Sequence, residues 1–162
     1  MNKKWSVAEK VIGILITIWG IFTLYSVVSN VYGTISSGFL NSGHTTYLHL
    51  LQTNHLNVVL SLASIFGGTF LLFNDKTGWL LSLICSSMYA VLLFISATTN
   101  HVNNKQTGIF FYQSYSVTAI LFAIILIFLF QKPFRGKYKP TEKNWRNAAF
   151  ILIILIADKI FL

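Results

Sequence analysis

QKPFRGKYKPTEKNWR, residues 131–146, is the stretch that decides how this chain folds. It holds six of the twelve Lys and Arg residues and both prolines. The apolar run FAIILIFLF (122–130) leads into it, and AAFILIILIA (148–157) leads out of it. A cationic cluster between two oil-soluble segments marks the side of a membrane on which a chain stays.

Composition agrees. Only 10% of the 162 residues are charged, against about 25% in a soluble domain. With so little polar surface available, lipid is the solvent for most of the chain. The expected fold is all-α, a polytopic transmembrane helical bundle forming a single domain over 1–162. The net charge of +8 sits beside apolar segments and serves the positive-inside rule. Nucleic acid is excluded as a partner, because phosphate binding needs a basic face on a folded soluble module. One cysteine, Cys85, rules out an internal disulfide and reads as a small packing residue. Richness in Ile, Asn, Lys and Phe suits a small bacterial inner-membrane protein.

The apolar runs place four spans, at about 11–30, 56–73, 79–97 and 109–130. Ser6 and Glu9 have the spacing of a capping box, which predicts a helix start near Ser6. The first run is too long for a signal peptide, so it reads as a retained span. Residues 32–54 are polar and glycine-containing, a loop with a short interfacial helix around 46–52. Span two carries Ala63-x-x-x-Gly67 and Ser64-x-x-x-Gly68, the small-residue spacing that lets membrane helices approach closely. Residues 74–78 form a tight turn, so spans two and three make an antiparallel hairpin. A second polar loop covers 98–108. The terminal apolar helix, 147–162, reads as a short fifth span or a bundle-packed terminal helix. Alternation puts ten of the twelve cations on one side and Lys105 and Lys159 on the other. The N-terminus and the basic loop 131–146 are then cytoplasmic, and loops 32–54 and 98–108 face outward.

All four histidines fall on the outward side. His49, His55 and His101 are the candidate ligands for a metal or haem, or for a proton relay. The plainer reading is that they are interfacial loop residues. Their spacings do not match the i, i+4 pattern of two ligands on one helix face. Polar residues of the spans concentrate toward the same side. Asn30, Asn57, Ser61, Gln113 and Ser116 could line an outward pocket, since an unpaired amide in lipid costs several kcal/mol. Alternatively, such hydroxyls bond to helix carbonyls and cement the bundle.

The absences are also informative. Spans one to four hold no Asp, Glu, Lys or Arg beyond Glu9 and Lys10 at the entrance, which argues against a proton-coupled transporter. No recognised hydrolase, metalloprotease or nucleotide-binding motif is present. No Ser-His-Asp set can be nominated, since the aspartates are Asp75, in the turn, and Asp158. The leading expectation is a non-enzymatic membrane subunit with an accessory, immunity or regulatory role. Its partners are the lipid bilayer and either a second copy of itself or a cytoplasmic protein, with Lys132, Arg135, Lys137, Lys139, Lys143 and Arg146 making lipid or partner contact. An oligomeric pore or permease is the alternative, and a His-based metal or haem enzyme or sensor a further one. No cofactor is specified by the residues.

Overall fold

Long apolar runs that close their backbone amides within helices suit a lipid setting, which offers the backbone no other hydrogen-bond partner. The computed structural model describes residues 3–37, 46–103 and 109–161, and it is all-helical there. The elements are α1 (Lys3–Ser36), α2 (Tyr47–Leu72), α3 (Lys76–Asn103), α4 (Ile109–Leu129), α5 (Lys132–Tyr138) and α6 (Glu142–Phe161). Helices α1, α2 and α3 are long and apolar enough to cross a bilayer, and α4 joins them if its bent continuation α5 is counted with it. Neighbours in sequence pack on one another from α1 to α4, while α6 lies against α3 and α2.

Several boundaries differ from expectation. Helix α1 is already helical at Lys3, and the Ser6–Glu9 capping box does not form, because the Glu9 carboxylate bonds elsewhere. A reciprocal box occurs instead at the start of α6. There Thr141 Oγ1 accepts from the Asn144 amide at 3.4 Å, and Asn144 Oδ1 accepts from the Thr141 amide at 3.2 Å. The interfacial helix and span two are one helix, α2, capped by Thr46, whose hydroxyl accepts from the His49 amide at 3.2 Å. Polar residues do not break it, because Thr53 and Asn54 turn their side chains back onto the carbonyls of His49 and Leu50. Likewise, 98–103 continues α3 rather than forming a loop.

The turn at 74–78 is as tight as expected. Asn74 takes a left-handed conformation (φ 62°), and Asp75 Oδ1 accepts from the Thr77 amide at 2.7 Å, opening α3. Gly78 is pressed onto the backbone of Phe70 and Leu71, where a Cβ would overlap.

The expected basic loop is the largest departure. Residues 132–138 form helix α5, bent 58° from α4. Gln131 is extended (ψ 148°) and Pro133 sits in the first turn of α5, where its missing N–H costs nothing. Lys139 closes the helix in the left-handed region (φ 41°), and Pro140 prevents continuation. Helix α5 is amphipathic. Phe134 (0% exposed) and Tyr138 join the same core cluster as Trp79, Phe122 and Leu129, so α5 lids one end of the bundle.

Candidate functional site

The lidded end is built around a buried acid. Glu9, on α1 just before the apolar run that begins at Val11, is 1% exposed. Lys137 Nζ lies 2.6 Å from its Oε2, and Tyr138 Oη donates to its Oε1. Lys137 also donates to Asn74 Oδ1, which ties the α2–α3 turn to the same point. Burial pushes the Tyr138 phenol well above its usual range, reinforced by the hydrogen bond to Glu9, the Glu9 charge and the Asp75 charge. Tyr138 stacks on Trp79 at 5.7 Å, and Trp79 Nε1 donates to the Leu129 carbonyl at 3.1 Å, satisfying one of the orphan carbonyls at the end of α4. Trp145 packs edge-on against Trp79 and face-on against Phe130, with Arg135 over its ring at 5.9 Å.

Five of the six cations singled out from sequence, Lys132, Arg135, Lys139, Lys143 and Arg146, are exposed on this end. Lys137 is not part of that set, since its charge is committed to Glu9.

The opposite end carries a polar cleft of about 270 Å³ between α2, α3 and α6. His55 and Asp158 meet in it, with Nε2 at 2.8 and 3.0 Å from the two carboxylate oxygens. Nδ1 of the same ring faces the Gln52 carbonyl at 2.6 Å. A protonated ring would donate from both nitrogens, Nδ1–H to the Gln52 carbonyl and Nε2–H to the carboxylate. In that state the ring has no lone pair to take a proton. A second, apolar groove of about 660 Å³ lies between the far halves of α1 and α2, with Tyr32, Tyr47 and His55 on its wall.

The remaining residues singled out from sequence are dispersed. Asn57 lines the polar cleft, Ser116 a different, apolar groove between α3 and α4, and Asn30 is exposed on α1. Ser61 is buried and donates to the Asn57 carbonyl at 2.5 Å. His49 is exposed near the start of α2. The side chains of Gln113 and His101 lie outside the described residues. Among the described residues no three His, Cys, Asp or Glu side chains converge as metal ligands would.

Helix α2 sends its small residues two ways. A Cβ on Gly67 would sit 3.0 Å from Leu81 Cβ of α3, whereas one on Gly68 would strike Thr17 and the Gly13 carbonyl of α1. Ala63 is partly buried against the core. Gly13 and Gly20 of α1 are the matching small residues, and a Cβ on Gly20 would lie 2.8 Å from the Ser61 carbonyl. The sequence reading named only the α2 half of this contact.

Sequence reading also missed the two ion pairs. The signal for the first was a lone glutamate at the mouth of an apolar helix in a chain with four acidic residues. For the second it was Asp158, an acid directly after the apolar run 148–157 of α6. The chain matches no protein-family model, no curated protein and no solved structure.

Proposed function

We propose that this chain is a multi-pass membrane protein with a cytoplasmic N-terminus, crossed by α1, α2, α3, α4 and α6, that works through a partner rather than by catalysis. It would serve as an accessory, immunity or regulatory subunit, engaging its partner at the cytoplasmic face. The five-span count draws support from α6. Trp145 near its start packs at the lidded end, and Asp158 near its other end meets His55. The orientation draws support from the cations gathered at the lidded end.

The observation that carries the functional reading is the anchored cationic ridge. Phe134 and Tyr138 are sealed into the bundle while Lys132, Arg135, Lys139, Lys143 and Arg146 stay exposed. A topology mark needs only charge, and a slack loop would supply it. Fixing the same charges on a folded lid lowers the ordering cost of binding a matching surface. Each cation near an anionic surface contributes on the order of 1 kcal/mol.

The test is a photo-crosslinking residue in place of Lys139 or Lys143, used in native membranes. A discrete protein adduct that disappears when the other four cations become Gln is expected. Lipid adducts alone, unchanged by neutralisation, sink the reading. Labelling of Ser37→Cys from outside, and of Lys143→Cys only after the membrane is opened, checks the orientation.

A further inference from the structure

The contact between His55 and Asp158 does more than fill a cleft. The two residues are 103 apart in sequence, and among the described residues they form the ion pair that joins α6 to α2. The near part of α6 is held by packing. Trp145, Leu152 and Leu155 lie against the core and Ala148 is buried. Beyond Leu155 none of the described residues is fully buried, and Asp158 and Lys159 form the helix's share of the cleft wall. The far end of α6 is thus tied to the bundle through a titratable contact.

We propose that His55 and Asp158 form a proton-operated latch that holds the far end of α6 closed over the polar cleft and releases it when His55 loses its proton.

The chemistry follows from the two acceptors. With both nitrogens protonated, Nδ1–H donates to the Gln52 carbonyl and Nε2–H to the carboxylate. A neutral imidazole keeps one proton. If it stays on Nε2, the Nδ1 lone pair faces a carbonyl oxygen 2.6 Å away. If it stays on Nδ1, the Nε2 lone pair faces a carboxylate at 2.8 Å. Either tautomer sets two acceptors against each other, so the ring must turn or Asp158 must withdraw. The carboxylate sits on α6, which packs on the bundle more sparsely than α2 does, and the far end of α6 is the part that moves.

Among the described residues, no second histidine lines the walls around the ring. Helix α6 contributes Asp158 and the ammonium of Lys159, α1 contributes Tyr32, and α3 contributes Leu92 and Ser96, which do not ionise. On α2 itself, Tyr47 and the exposed His49 are the nearest titratable neighbours in sequence. Between about pH 5 and 8 the ordinary titrating side chain is histidine, and His49 is not a wall residue of the cleft. The latch stands independently of the partner reading, because it depends on neither orientation nor the basic ridge.

The full chain in lipid nanodiscs tests it. Asn57→Cys places a thiol on the cleft wall, and Ser37→Cys gives an exposed reference thiol. A charged methanethiosulfonate measures the ratio of their reaction rates, which cancels the common dependence on thiolate. The ratio is expected to rise about tenfold between pH 5 and 8.5, the factor that one pKa unit of coupling supplies. Asp158→Asn should hold it high at every pH, and His55→Lys, a permanent cation over this range, should hold it low. His49→Asn should reproduce the parent profile. A flat low ratio in the parent overturns the latch, as does an Asp158→Asn profile indistinguishable from the parent's. If His55→Lys fails to fold, the parent and Asp158→Asn profiles decide the matter alone.

Discussion

Lys137 Nζ lies 2.6 Å from Glu9 Oε2, an ion pair that ties the first turns of the chain to a residue 128 positions later. The pair is asymmetric in burial. Glu9 is 1% exposed, whereas the Lys137 side chain is 25% exposed and its amine can turn to water. Removing one member of a buried pair costs roughly 3–5 kcal/mol, because the other is stranded. Stranding Lys137 is milder, since it can rehydrate. Glu9→Ala should therefore cost about 2–4 kcal/mol, and Glu9→Gln, which still accepts from Tyr138, about 1–2 kcal/mol. Reversible unfolding in mixed micelles measures both. With the pair intact, Lys137→Met should destabilise. In the Glu9→Ala background it should cost nothing further, and an equal cost in both backgrounds would show that the pair is not coupled.

Tyr138 makes this end sensitive to alkali. Its phenol is held above its usual range by burial first, then by Glu9 and Asp75. The folded state therefore favours the neutral form. That contribution is fully present below the unfolded value of about 10 and is lost as the pH climbs above it. The stability of the wild type should fall more steeply above about pH 10 than that of Tyr138→Phe, which cannot ionise. Losses common to both proteins, lysine deprotonation among them, cancel in the comparison. Parallel curves would mean that the phenolate is tolerated beside Glu9.

Two glycines, Gly68 in the α1–α2 contact and Gly33 outside it, should respond to substitution with opposite sign. A Cβ at Gly68 would strike Thr17 and the Gly13 carbonyl, and both helices would have to separate. Gly68→Ala should destabilise by about 1–3 kcal/mol through overpacking. Gly33, also in α1, has nothing within 4 Å of where a Cβ would stand. There Gly33→Ala should stabilise by about 0.5–1 kcal/mol, because a helix interior disfavours glycine. If both substitutions shift stability in the same direction, close approach is not what Gly68 supplies.

Apolar length made the helices legible, because 18 or more apolar residues have few alternatives to a membrane-length helix. The tight turn at Asn74 and Asp75 was legible for the same local reason. Helix ends were less so. Ser6 and Glu9 match a capping box in spacing, yet Glu9 has a stronger use in Lys137 and Tyr138. Thr53 and Asn54 looked like loop residues because polarity was read as exposure, whereas their side chains bond back to their own helix. The basic segment misled in a third way. Its cations hid the apolar positions Phe134 and Tyr138, four apart and so on one helix face, which turn a loop into a lid. Pairings such as His55 with Asp158 depend on how distant helices pack, and no local pattern encodes them.

Phe134 decides whether the lid is a lid. It is fully buried, edge-on to Trp5 at 5.8 Å, and belongs to the same cluster as Trp79 and Leu129. Replacing it with Ala removes the anchor of a seven-residue helix, too short to persist without packing. The expected cost is about 3–5 kcal/mol if α5 stays in place around the cavity. Helix α5 has a cheaper response, which is to undock, so the global loss should fall below that range while local opening rises. Trypsin reads the difference at Arg135–Gly136 and Lys137–Tyr138, bonds held inside the helix, whereas Lys132 and Lys139 precede prolines and resist cleavage. Cleavage at these sites should accelerate at least about tenfold in Phe134→Ala, the factor given by 1.4 kcal/mol of local destabilisation when opening precedes cutting. Phe130→Ala, which removes a half-exposed ring stacked on Trp145, should accelerate it far less. Equal rates in the two variants would mean that α5 is held by its charges rather than by its apolar face, and the anchored ridge would lose its physical basis.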